Sequence, residues 1–180
     1  MAFLFKIDIM KLQLSTSENI SKIMQIINDA KELLASLKID QWQNGYPNES
    51  AILEDLKNNE SYIVTSKDST LIGTAMFTTK NEPTYKSIEG KWITKVNAKY
   101  GVIHRMAITN KSRNKGVAKF IFEQCEQQLF HQNINSMRID THQDNFAMQS
   151  LLKKLKYLYC GVIYLDNGDK RLAYEKLIKI

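Results

Sequence analysis

Cysteine, proline and glycine are all scarce in this chain of 180 residues, numbering two, two and seven. Two cysteines cannot build a disulfide framework, and Cys125 and Cys160, each in an apolar context, read as small core hydrophobes. So little glycine and proline excludes a collagenous or linker-like chain. No apolar run approaches the roughly 20 residues of a membrane span. Lys6 and Asp8 interrupt the apolar start before a signal-peptide core is reached. There is no H-x-x-x-H or paired-cysteine spacing, so no metal site is expected. These absences point to a reducing cytoplasmic setting and no membrane partner.

What is present is ordinary for a folded protein. Hydrophobic residues make up 43% and charged residues 24%. The length suits a single domain over residues 1–180 that buries about two thirds of its unfolded surface without staples. The net charge of +6 is mild and its lysines are scattered. Aromatics do not interleave with basic residues as a single-strand stacking platform requires. A solvated basic surface is therefore expected rather than a nucleic-acid partner.

Periodicity gives the elements. Met10, Leu12 and Leu14 alternate with Lys11 and Gln13, as on a strand with one buried face. Ser15-Thr16-Ser17-Glu18 fits a capping box before a helix with Ile20, Ile23, Ile27, Ala30, Leu34 and Leu37 on one side. Asn48 is suited to cap a short second helix. A hairpin is expected over residues 61–66 and 71–78, followed by an irregular connection over 79–100, a length usually reserved for function or mobility. Residues 101–109 read as a strand. Gly116 opens a helix with Val117, Ile121, Cys125 and Leu129. A strand at 137–140 precedes a helix capped by Asp144 or Asn145, with Met148, Leu151, Leu152 and Leu155 inward. A hairpin over 157–165 and 171–178 closes the chain, its Asn167-Gly168 suited to a type I′ turn. The order β-α-α-β-β-β-α-β-α-β-β is that of a mixed α/β (α+β) domain.

The chemistry concentrates where the strand at 101–109 meets Arg113-Asn114-Lys115-Gly116-Val117-Ala118. A glycine at a helix start lets a ligand approach the backbone, and the free amides and dipole of the first turn attract an anion such as a pyrophosphate. The spacing is neither a P-loop nor a G-x-G-x-x-G fingerprint. Following the strand Ile103-His104-Arg105-Met106-Ala107-Ile108, it resembles motif A of the GCN5-related N-acetyltransferase (GNAT) superfamily. Arg138 to Asn145 and then Leu151-Leu152-Lys153-Lys154-Leu155-Lys156-Tyr157 resemble motif B, a strand followed by an asparagine-started helix.

The resemblance implies a mostly antiparallel, twisted mixed sheet flanked by about four helices. It also implies transfer of an acetyl group from acetyl-CoA to a primary amine, on a small molecule or a peptide, by direct attack in a ternary complex. Carried over, Met106, Ala107 and Ile108 hold the pantetheine arm, and a backbone amide there polarises the thioester carbonyl. Arg113, Asn114, Lys115, Gly116, Val117 and Ala118 cradle the pyrophosphate, and Asn145 touches the cofactor. Two positions depart from the pattern. Leu152 stands where many members carry a tyrosine acid, and Lys156 replaces the glycine of the helix-ending turn. Tyr157, Tyr159, Cys160 or solvent is then left as proton donor, with Tyr157 the first choice.

His104 is the candidate base, expected on the same strand face as Met106 two residues on; a hydrogen-bonded structural histidine is the other reading. His142 reads as a loop residue and His131 as a helix-terminal one. Trp42, Tyr46, Tyr85 and Trp92 fall in irregular segments, where an acceptor pocket and plain core packing explain them equally. The exposed terminal hairpin offers a surface for a homodimer.

Overall fold

Apolar residues three and four apart wind residues Ile20–Ser36 into α1 and Glu49–Lys57 into α2, while alternation makes the strands. The computed structural model describes residues 10–95 and 97–179, so the apolar start lies largely outside the described residues. The chain continues through β1 (Lys11–Leu14), ahead of α1, and then β2 (Ser61–Thr65), β3 (Leu71–Thr78), β4 (Glu89–Gly90) and β5 (Gly101–Ile108). After these come α3 (Val117–His131), β6 (Ser136–Thr141), α4 (Phe146–Lys154), β7 (Leu158–Tyr164) and β8 (Lys170–Leu177). Among the described residues the strands form one eight-stranded sheet in the order β1-β2-β3-β5-β6-β8-β7-β4. All pairs are antiparallel except β5 with β6. This is the mixed, mostly antiparallel architecture with four helices that the resemblance implied.

α3 and α4 cover one face, burying Ile103, Val117, Ile121, Phe122, Cys125, Leu129, Met137 and Leu152. Gly73 lets α3 come close, since a Cβ there would stand 3.3 Å from Val117 Cγ1. The opposite face is covered in two parts. Beside β2 and β5, Ile23, Ile26 and Ile27 of α1 pack with Ile52, Ile63 and Ala107. Beside β7 and β8 the cover is no α-helix but the irregular connection, whose Tyr85 (on a short 3-10 turn, Pro83–Lys86), Trp92 and Tyr100 pack with Val102, Cys160 and Ala173. Cys125 and Cys160 are free and belong to different clusters. No helix of the described residues is long and apolar enough to cross a membrane.

Several local expectations need correction. The capping box sits one residue later, with Thr16 and Asn19 as its members; asparagine reaches the Thr16 amide as well as glutamate would. The connection contains one strand that periodicity missed, β4, too short to show alternation. It joins the far edge of the sheet through Gly90 and Gly161, whose backbones lie so close that a Cβ on either would fall 2.2 Å from a carbonyl oxygen of the other strand. In the turn of the terminal hairpin, between Leu165 and Asp169, only Gly168 has a positive φ (+85), and Gly168 N donates to Leu165 O at 2.8 Å. The link is thus a turn closed by one left-handed glycine rather than type I′. Lys156 does take the left-handed conformation of the glycine it replaces, at φ +67.

Candidate active site

The site begins with a defect in strand pairing. β5 and β6 pair only at Gly101–Met137 and Val102–Arg138, and beyond Val102 they part. The backbone of His104 to Ile108 on the side away from β3 therefore has no strand partner. A bulge accompanies the split: Thr74 pairs with Ala107 and Met76 with His104, so β5 has one residue too many. Arg105 absorbs it at φ +50. Its guanidinium grips Asp55 of α2 with two bonds, Nε to Oδ2 at 2.7 Å and Nη2 to Oδ1 at 2.5 Å, and donates also to the Tyr46 hydroxyl. That bidentate pair, between a partly buried guanidinium and a buried carboxylate, over-determines the strained conformation.

The bulge overturns one expectation. Period two predicts His104 and Met106 on one face, but the extra residue reverses the alternation. Met106 and Ile108 pack on the α3 and α4 side, whereas Ala107 packs under α1. His104 faces the connection, where its ring lies 6.3 Å from that of Tyr85.

Around His104 the structure assembles groups that no sequence spacing brings together. Nε2 lies 3.0 Å from Glu82 Oε2, and Nδ1 lies 3.9 Å from Asp140 Oδ1. Tyr85 donates its hydroxyl to the same Asp140 oxygen at 2.7 Å. Burial alone would raise the Glu82 carboxyl, but the hydrogen bond and charge of His104, with help from Thr84, hold it down at about 2. Burial, reinforced by Asp140, pushes the Tyr85 phenol well above its ordinary value, so it remains a donor. Two carboxylates thus flank one imidazole, with the Nδ1–Oδ1 distance too long for a direct bond.

On the α3 side lies the segment in which the sequence reading places an anion cradle. A short turn at Asn110–Ser112 leads into Asn114 at φ +60 and Gly116 at φ +82. Gly116 is the N-cap of α3, and no side chain caps the helix there. A Cβ on Gly116 would meet nothing within 4 Å, so the space above the first turn is open. Val117 is buried and anchors the helix start, while Asn114, Lys115 and Gly116 are exposed. These residues fit a pyrophosphate, which needs free amides and unobstructed backbone.

The remaining expected residues divide. Asn145 is the helix cap: its Oδ1 accepts from Met148 N at 3.1 Å, and its Nδ2 donates to Gln41 Oε1 at 2.9 Å. Leu152 is fully buried. Tyr157 is not brought to the His104 cluster. Its ring packs edge-on against Phe122 at 5.4 Å and its hydroxyl donates to Glu126 Oε1 at 2.9 Å. His142 accepts from Asp144 N at 3.2 Å, as a loop residue would. Of the four irregular aromatics, Tyr85 and Trp92 are core, Trp42 packs partly buried by α1, and Tyr46 is exposed beside Arg105. Among the described residues no group of three or more His, Cys, Asp or Glu is placed to hold a metal.

Residues 25–157 match the model of the acetyltransferase (GNAT) family. A crystal structure of a GNAT-family acetyltransferase from Streptococcus agalactiae superposes with a TM-score of 0.84 at 34% identity, covering 95% of this chain and 96% of that one. The fold is shared with the NatC complex bound to Gag peptide and CoA, at TM-score 0.67, 14% identity and coverage of 94% and 99%. It is shared too with the ribosomal-protein-S18-alanine N-acetyltransferase of Escherichia coli, at TM-score 0.59, 9% identity and coverage of 96% of each chain. Among curated proteins nothing matches the chain.

Proposed function

The chain belongs to the GNAT acetyltransferase family, and from that premise we propose that it moves the acetyl group of acetyl-CoA onto a primary amine of a small-molecule or peptide acceptor, by direct attack in a ternary complex. The observation that carries the reading is the His104 cluster at the strand split: an imidazole held at Nε2 by Glu82, with Nδ1 facing Asp140 across 3.9 Å. A fold neighbour bound to CoA and a peptide supports both ligands.

In this reading the amides of residues 113–118 hold the pyrophosphate, and the unpaired backbone of Met106 to Ile108 lies along the pantetheine arm. An amide of the bulge polarises the thioester carbonyl as negative charge develops on it. The acceptor arrives as an ammonium that donates to both His104 Nδ1 and Asp140 Oδ1, which lie 3.9 Å apart. With the Nε2 proton donated to Glu82, Nδ1 is free to take a proton from the ammonium. The amine nitrogen then bonds to the thioester carbon, the carbon–sulfur bond breaks, and the nitrogen's second proton passes through solvent to the departing thiolate, leaving a neutral amide and thiol. Asp140 balances the charge of the ammonium and then of the imidazolium.

Buried Leu152 and the commitment of Tyr157 to Glu126 favour a second reading, a module that binds acyl-CoA without transfer. Thiol release across an amine panel separates the two. Transfer requires release with at least one amine, and loss of about a hundredfold or more in kcat on His104→Gln with acetyl-CoA affinity retained. Binding of acetyl-CoA with no release above the hydrolytic background overturns the transferase reading.

A further inference from the structure

Behind the His104 cluster lies a second buried ion pair. Arg138 of β6 and Glu175, its register partner on β8, are 2% and 0% exposed, with Nε 3.3 Å from Oε1. The guanidinium sits against two rings, its central carbon 4.5 Å from the Trp92 centroid and 4.1 Å from that of Tyr100. Glu175 also accepts from Ser136 Oγ at 2.5 Å, from Ile93 N at 2.5 Å and from the Thr94 hydroxyl. Arg138 itself donates to Thr94 Oγ1 at 2.9 Å.

Each ring leads to one side of His104. Trp92 Nε1 donates to Tyr85 O at 3.0 Å, and Tyr85 holds Asp140. The Tyr100 hydroxyl accepts from Glu82 N at 3.0 Å, and Glu82 meets His104 Nε2. A buried guanidinium is costly to desolvate, and apolar residues of the same volume often serve stability as well. What the flat cation adds is a fixed spacing and tilt for the rings it touches. We propose that Arg138 is a positioning residue for acetyl transfer. Through Trp92 and Tyr85 it sets Asp140, and through Tyr100 it sets Glu82, so one buried cation fixes both carboxylates about His104. The inference rests on the reading of His104 as base. The groups facing that imidazole are Glu82 and Tyr85 from the connection and Asp140 from β6, with Asp55 of α2 farther off and paired to Arg105.

The test is a double-mutant cycle with His104→Gln, measuring kcat, acceptor KM, acetyl-CoA affinity by calorimetry and the pH–rate profile. Arg138→Lys keeps the charge and loses the plane. Tyr100→Phe removes only the hydroxyl that accepts from Glu82, and it decides the matter should Arg138→Lys not fold. Expected is a fall of about tenfold in kcat/KM for the amine in each, a displaced ascending limb of the profile, unchanged acetyl-CoA affinity, and no further fall when either is added to His104→Gln. Parent-like turnover per folded molecule with an unmoved profile, whatever the melting temperature, overturns the positioning role while leaving His104 standing. Equal losses in the presence and absence of His104 overturn it as well. Parent-like turnover of His104→Gln alone shows instead that the base assignment has failed, and the proposal falls with it.

Discussion

Glu82 Oε2 and His104 Nε2 lie 3.0 Å apart although 22 residues separate them, one on an irregular connection and the other at a strand bulge. The contact makes folding of the connection and chemistry of the strand one problem. Its acid limb is directly measurable. The Glu82 carboxyl is depressed from 4.5 to about 2, so it contributes stability that is complete above its unfolded value and lost as pH falls through the folded one. Between pH 4.5 and 2 the melting temperature of the parent should fall more steeply than that of Glu82→Gln. Parallel curves for the two proteins would show that the pair contributes nothing to the folded state.

Gly116→Val tests the cradle. At φ +82 any side chain is strained, at roughly 1 kcal/mol. The added group would fill the open space over the first turn of α3. Calorimetry should give at least a tenfold loss in acetyl-CoA affinity, about 1.4 kcal/mol, beyond the small drop in stability. A folded variant with parent affinity would move the pyrophosphate elsewhere.

Tyr157→Phe should lower stability by about 1 kcal/mol, the worth of a buried hydrogen bond, because the hydroxyl is spent on Glu126. Turnover should be unchanged. If instead activity collapses with acetyl-CoA affinity intact, this tyrosine is the acid after all and must leave Glu126 during the reaction.

Lys156→Gly should stabilise the protein by about 1 kcal/mol, since the exposed lysine holds φ +67 for which glycine carries no steric penalty. Chemical denaturation with an unchanged m-value is the measurement. A neutral or destabilising result would mean that the lysine side chain has a partner worth as much as the strain.

Arg105→Ala should cost about 3 kcal/mol or more, because it leaves Asp55 charged and buried without its partner. Arg105→Gly should recover about 1 kcal/mol of that loss, since glycine accepts φ +50. Equal stability of the two variants would show that the bulge carries no strain.

What the sequence disclosed follows from range. Helices, hairpins and the Gly116 junction depend on neighbours within a few residues, and they were legible to within a residue or two. β4 was not, because two residues cannot show a period. The bulge at Arg105 was not, because its stabilising partner, Asp55, lies 50 residues away. Its consequence, the reversal of faces between His104 and Met106, was therefore misread. Glu82 carries no motif, Tyr85 stands out only as one of four aromatics in irregular segments, and Asp140 lies inside the motif B stretch without a role of its own. Only the fold brings these groups to one imidazole.

Because β4 crosses from the middle of the chain to the far edge of the sheet, synthesis imposes an order on assembly. The meander of β1, β2, β3 and β5 has all its strands once residue 108 has left the ribosome. The connection does not: Gly90 must await Gly161, and the ring pair about Arg138 must await Glu175. Glu82 and Tyr85 are translated before His104, whereas β7, the strand that pairs with the end of their connection, is translated after it, so the segment that brings them to the imidazole is anchored by residues made later than the imidazole itself.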